Sequence, residues 1–180
     1  MIALLLAGPA QAATADYTGE GLTIVTPPSW IALHQNKTAG AEEVALVPPW
    51  QKADAWQDML MYQEFKNRSG VNPRTVLDGA ITEGRKSCPS LLAGTVQEGI
   101  VNGYSGAFLS VSCPAQGEIN LIKVVAGEKN FYLVQRSWRR PPFSPDKPPL
   151  KSTDIDIWVK FLSRLKPCDT RNRAHPCPSP

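Results

Sequence analysis

Apolar and polar residues alternate in short runs along most of this chain, and nearly every run stops at proline, glycine or asparagine. Gly21-Leu22-Thr23-Ile24-Val25 alternates and halts at Pro27-Pro28, which predicts a short strand with a hard end. Ser29-Trp30-Ile31-Ala32-Leu33 resumes the apolar pattern, and the polar stretch Gln35–Gly40 reads as a turn. Glu43-Val44-Ala45-Leu46-Val47 predicts a further strand, stopped by Pro48-Pro49. In the segment Trp56–Phe65, Trp56, Met59 and Leu60 stand at helical spacing while Met59, Met61, Gln63 and Phe65 alternate. A helical turn around Asp54–Trp56 leading into a strand over 58–66 accommodates both.

Two segments carry the 3.6-residue period. Asn72 is suited to cap a helix and Pro73 to its first position, with Val76, Leu77, Ala80 and Ile81 on one face and Cys88-Pro89 closing it. Near the C-terminus, Thr153 with Asp156 forms a capping-box pattern. Ile155, Trp158, Val159, Leu162 and Leu165 then mark an apolar stripe that ends at Pro167. Between the helices, Thr95–Ile100 and Tyr104–Ser112 flank Asn102-Gly103, the strongest short hairpin signal. Glu118–Ala126 and Phe131–Arg139 flank Gly127-Glu128-Lys129-Asn130, a second turn. Pro141–Pro149 is a stiff, proline-rich connector. The order predicts an α+β domain: a mostly antiparallel sheet of about six to seven strands packed with two main helices, in the manner of an α-β-α sandwich. The helices would cover one face of the sheet or both.

Composition narrows where such a chain works. Its 180 residues fit one domain, and a formal net charge of +3 without a long basic run does not support nucleic-acid binding. No apolar stretch approaches the ~20 residues of a membrane-spanning helix, so no transmembrane segment is expected. The opening run Ile2–Ala7, the breaker Gly8-Pro9 and the small-x-small triplet Ala10-Gln11-Ala12 follow the order of a secretory signal peptide. No Lys or Arg precedes Lys37, so a positive n-region is missing. Residues 1–12 are therefore read as a signal-peptide remnant, 13–167 as the domain and 168–180 as a tail, in a periplasmic or secreted protein.

Export gives the cysteines a role. Cys88, Cys113, Cys168 and Cys177 allow three pairings, of which the most economical joins sequence neighbours, Cys88 to Cys113 and Cys168 to Cys177. The first closes a loop of about 25 residues, worth roughly 3.5 kcal/mol in the chain-entropy account, and clamps the first helix to the sheet. The second staples a polar tail. Cys168, His175 and Cys177 do not have a zinc-site spacing, there is no Cys-x-x-Cys, and neither metal nor cofactor is expected.

Candidate chemistry is sparse. The two histidines, His34 and His175, fall in no triad or metal motif, and Glu64 with Glu98 is a carboxylate pair that nothing in the sequence selects. An enzyme is therefore not the favoured reading. The more informative cluster is Arg136-Ser137-Trp138-Arg139-Arg140, where arginines around a tryptophan could bind an anionic or aromatic partner. Strand parity puts Arg136, Trp138 and Arg140 on one face with Tyr132 and Val134. The competing reading is a core tryptophan with solvated arginine neighbours. Pro27-Pro28-Ser29-Trp30 and Pro48-Pro49-Trp50 present a similar choice between a docking surface and a ring folded over the core. Asn36-Lys37-Thr38 and Asn67-Arg68-Ser69 match the glycosylation sequon, which matters only in a eukaryotic secretory route.

Gly21-Leu22-Thr23-Ile24 followed by Pro28-Ser29-Trp30 resembles the opening of the PsbP/Mog1/DcrB-like group, in which a first strand runs into a Pro-x-Trp turn. The resemblance covers about ten residues, and the cysteine pairs and proline connector depart from the group's pattern. It implies an α-β-α sandwich and a mostly non-catalytic binding or accessory role in an envelope compartment. The expectation is an exported accessory protein of the bacterial envelope or a secretion system, with another envelope protein as partner through Arg136, Trp138, Arg139 and Arg140. The alternative is a small periplasmic hydrolase, or an inhibitor or immunity-type protein. N-terminal mass spectrometry of the exported chain should find a start near Ala13; a retained Met1 would contradict the signal-peptide reading.

Overall fold

A computed structural model describes residues 19–177; the signal-peptide reading of 1–12 lies outside them. The chain runs β1 (Glu20–Leu22), β2 (Ile31–Lys37), β3 (Ala41–Val47), β4 (Asp58–Phe65), α1 (Pro73–Ser87), β5 (Leu92–Ala93), β6 (Gln97–Val101), β7 (Tyr104–Cys113), β8 (Glu118–Ala126), β9 (Phe131–Arg139), α2 (Ser152–Arg164) and β10 (Pro167–Asp169). Eight strands form one sheet in the order β2-β3-β4-β9-β8-β7-β5, with β6 also on β7. All the pairings are antiparallel. The fold is α+β.

The alternation read from the sequence sorts the core into two halves. On β9, Tyr132, Val134 and Trp138 point to one face, where they join Leu60 and Tyr62 of β4 and Leu162 of α2. The intervening positions, Phe131 and Leu133, point to the other face with Leu109 of β7, Val124 of β8 and Leu77 of α1. The two helices thus lie on opposite faces, which resolves the question that periodicity left open. Asn72 caps α1, its side chain accepting from the Thr75 N–H, and Pro73 takes the first position. The Cys88–Cys113 disulfide ties the exit of this helix to the end of β7.

Four expectations need correction. The first strand is shorter than 21–25, ending at Leu22. The polar segment 35–40 is not all turn: β2 runs on to Lys37, because an edge strand tolerates polar residues on both sides, and only Thr38–Gly40 turns. The Thr153–Asp156 capping box does not form, since α2 starts at Ser152 with Lys151 as its cap and no side-chain cap bond. The tail is also less separate than 168–180 suggests. Its first residues lie in β10, which pairs with β1 through Glu20↔Asp169, Gly21↔Cys168 and Leu22↔Pro167.

The tail is held by shape as well as by the Cys168–Cys177 disulfide. The ring of His175 stacks on Tyr104 with centroids 3.8 Å apart. Its Nδ1 lies 2.8 Å from the Asn102 carbonyl, and as a carbonyl only accepts, Nδ1 carries the proton. This packing requires Gly103 at the tip of the β6–β7 hairpin: its φ is +85°, and an added Cβ would lie 2.6 Å from the His175 ring. At the same end of the fold, where His175 Nε2 lies 3.5 Å from Glu128, the Glu20 carboxylate accepts from the N–H groups of Glu128, Lys129 and Asn130 and from the Tyr132 hydroxyl. It pins β1 to the β8–β9 turn.

Removing the first disulfide by C88A/C113A should lower unfolding free energy by about 3 kcal/mol in chemical denaturation. An unchanged midpoint would show that the bond does not constrain the unfolded chain.

Candidate functional site

The arginine–tryptophan cluster divides into a buried part and an exposed part. Arg136 is 2% exposed and Trp138 is equally buried, because β9 is an inner strand between β4 and β8 and both side chains point toward α2. The guanidinium carbon lies 4.2 Å from the Trp138 ring centroid, 4.3 Å from Trp158 and 5.2 Å from Trp30. Three indoles therefore surround one cation, and desolvated contacts of this kind are worth about 2 kcal/mol or more. The charge is neutralised by Asp58 of the neighbouring strand β4, set diagonally because Leu60 is the residue directly opposite Arg136. Arg136 also donates to the carbonyls of Met59 at 3.2 Å and Ser137 at 2.6 Å. Its Nε has no hydrogen-bond partner among the described residues. Burial pulls the guanidinium down to about 10, with Asp58 acting against it, so it stays charged at neutral pH.

Two proline turns decide which tryptophans face the core. In Pro27-Pro28-Ser29-Trp30 the Trp30 N–H donates to Pro27 O at 3.1 Å, so Trp30 is the fourth residue of the turn and leads into β2. Ser29, in the third position, takes a φ of +67°, a conformation usually left to glycine or asparagine. The turn carries Trp30 back against Trp158, centroids 5.5 Å apart. In Pro48-Pro49-Trp50-Gln51 the Gln51 N–H donates to Pro48 O at 3.0 Å. The ring here belongs to the third residue, at the tip, and Trp50 is 78% exposed. The two turns differ in the backbone of their third residue, left-handed at Ser29 and not at Trp50, and in the place of the ring, fourth in the turn that packs inward and third in the one that points outward.

Asp58 joins the two parts. Besides Arg136, it receives Gln51 Nε2 at 3.2 Å and Arg140 Nη2 at 3.3 Å. Gln51 in turn accepts from the N–H groups of Gln57 and Asp58, closing the 51–57 loop behind Trp50. Burial pushes the Asp58 carboxyl up, but the hydrogen bond and charge of Arg136, with Arg140 and Gln51, outweigh it and hold the carboxyl below its ordinary value. Arg140 is half-buried and donates to Gln57 O at 2.8 Å. Its backbone N–H reaches Gly117 O at 2.9 Å, a close pass that only glycine permits, as an added Cβ would lie 1.8 Å from Arg140 O. Arg139 is exposed; its guanidinium lies 3.8 Å from the Trp56 centroid and pairs with Glu118 at 3.2 Å.

The four residues singled out in the sequence thus take different places. Arg136 and Trp138 sit in the interior and cannot touch a partner, whereas Arg139 and Arg140 reach the surface. Beside them stand Trp56 and Trp50, the latter flagged only as one arm of an ambiguous Pro-Pro-Trp motif. The signal that could have separated Trp50 from Trp30 is its position within the turn.

The remaining titratable candidates are not brought together. His34 is exposed in the middle of β2, with Nε2 3.7 Å from Glu43 on β3. His175 is fixed in the tail. Glu64 accepts from Asn130 at 2.8 Å on the α2 side, and burial raises its carboxyl. Glu98 lies four strands away on β6 and reaches Arg74 of α1 at 3.4 Å, on the opposite face. Among the described residues, no group of three or more His, Cys, Asp or Glu is placed to hold a metal ion, and no helix is long and apolar enough to cross a membrane. The two disulfides fit an oxidising compartment. No protein-family model matches the chain, and no curated protein matches it.

Asp58→Asn should remove the counter-charge of a buried guanidinium and cost about 3 kcal/mol or more at pH 7, read by chemical denaturation. Because the folded carboxyl titrates below the unfolded one, its contribution is present above the unfolded value of about 4 and fades as pH falls through the folded value. The variant should therefore lose less stability than the wild type on acidification below pH 4; parallel losses would contradict the ion pair's role.

Proposed function

We propose that this chain is an exported, non-catalytic binding protein, an accessory protein of the bacterial envelope or a secretion system that acts in the periplasm or outside the cell. The observation that carries this reading is the exposed Trp50, held on a braced turn at the end of the sheet that also presents Arg139 and Arg140. A tryptophan on a rigid turn binds with little loss of conformational freedom, and tryptophan with arginine is the pairing that dominates the energetics of protein interfaces. The partner this chemistry suits is another envelope protein with a shallow aromatic-accepting recess and carboxylates at its rim. The α-β-α layering and the disulfides support a stable scaffold for such a contact, in keeping with the PsbP/Mog1/DcrB-like resemblance.

The hydrolase alternative needs a histidine or carboxylate pair in a cleft, and the geometry around His34, His175, Glu64 and Glu98 does not favour it. Arg136 and Trp138 serve the contact by holding the sheet end in place. The test is cross-linking in the envelope fraction, with recovery of one defined partner compared among wild type, Trp50→Ala and R139A/R140A. Both variants should remain folded, Trp50→Ala with the wild-type melting temperature, and each should reduce recovery by about ten-fold, the loss of ~1.4 kcal/mol expected at an interface anchor. Wild-type recovery from both would overturn the assignment of this surface.

A further inference from the structure

Helix α2 covers the middle of the sheet but not β6, and a groove of about 420 Å³ runs between them. Val101, Gly106 and Phe108 line it from β6 and β7, and Val159 and Leu162 from α2. Its volume lies within the range of small-molecule sites. Two independent features of the groove point to an occupant.

The first is Gly99, in the middle of edge strand β6. A glycine weakens a strand and normally has a packing reason. Its cross-strand partner Gly106 has one, since an added Cβ there would lie 2.9 Å from Val101 and 3.2 Å from Val124 O. Gly99 has none: an added Cβ meets nothing within 4 Å. What the missing side chain preserves is the open space of the groove, which Gly99 lines.

The second is a pair of amines. Lys123 on β8 and Lys166 after α2 both line the groove. Lys123 is only 7% exposed, and its Nζ donates to Leu162 O at 2.9 Å and Leu165 O at 2.5 Å, at the C-terminal end of α2. An ammonium there suits the negative end of the helix dipole. Burial, with the Lys166 charge, nevertheless pulls the Lys123 amine down to about 8. Among the described residues, no ion pair joins either amine to a carboxylate. The one carboxylate that lines the groove, Glu98, reaches Arg74 instead. An apolar trough with two amines that no carboxylate pairs among the described residues complements an apolar tail with a single anionic head.

We propose that this groove binds a medium-chain monocarboxylate, its acyl tail over Gly99 and against Phe108 and Leu162, its carboxylate at Lys123 and Lys166. The site is separate from the Trp50–Arg139 surface and does not depend on its role. The test is calorimetric titration of the full chain with decanoate, below its micellar concentration, and in parallel with decanol, which keeps the tail and lacks the charge. Decanoate should saturate one site and bind at least about ten-fold tighter than decanol. Gly99→Leu fills the trough without touching the core and should weaken decanoate about ten-fold at an unchanged melting temperature. Lys166→Gln should erase most of the preference for decanoate over decanol. No saturable binding, equal affinity for decanol, or wild-type binding by a folded Gly99→Leu chain would overturn the proposal. Should Gly99→Leu fail to fold, an unaltered head-group preference in Lys166→Gln overturns it alone. Binding of an apolar tetrapeptide with a free C-terminus in place of decanoate would also overturn it, assigning the trough to a peptide.

Discussion

A single buried guanidinium organises one half of this protein. Arg136 brings a full charge into the space between the sheet and α2, and the cost of desolvating it is large enough that everything near it must answer to it. The answers come from far apart in the chain: Trp30 from the first proline turn, Asp58 from β4, Trp138 from β9 itself and Trp158 from α2. Indole faces are among the few apolar surfaces that attract a cation, so the same groups that bury the charge also stabilise it. An aliphatic core at this position would pack, but it would not select the orientation of three rings.

From this centre the geometry passes outward through Asp58. One carboxylate is shared by Arg136 below, Arg140 at the rim and Gln51 in the loop. The loop that displays Trp50 is closed by Gln51 onto the same residue. The interior charge and the exposed ring are therefore parts of one hydrogen-bonded structure, and the surface end of the sheet inherits its rigidity from the core. The opposite end of the fold is secured by other means: the Glu20 carboxylate on the backbone of the β8–β9 turn, the β1–β10 ribbon, and His175 stacked on Tyr104.

Much of this was legible in the amino-acid sequence, for identifiable reasons. Alternation in Phe131–Arg139 and Glu118–Ala126, the Asn102-Gly103 turn and the Asn72-Pro73 cap are local signals, and the elements they predict are present with bounds shifted by a few residues. Both disulfide pairings follow from sequence proximity. What was not legible depends on partners distant in sequence. Parity placed Arg136 beside Trp138, but that this face is interior follows from α2 lying on it with Trp158, about twenty residues later. Likewise, the polar stretch in β2 becomes a strand only because β3 pairs with it, and the tail forms β10 only because β1 is there to receive it. The groove beside β6 has no sequence signature beyond one glycine, since its walls come from three strands and a helix.

The central claim is that a guanidinium, and not merely a positive charge, holds Trp30, Trp138, Trp158 and Asp58 together. Arg136→Lys keeps the charge and much of the length but loses the flat surface that stacks on the rings and the fork that reaches Asp58, Met59 and Ser137 at once. Equilibrium denaturation at pH 7, followed by tryptophan fluorescence, tests the claim directly. The account predicts a loss of about 2 kcal/mol or more with an altered native-state tryptophan signal. A lysine variant within about 0.5 kcal/mol of wild type, with an unchanged signal, would contradict it.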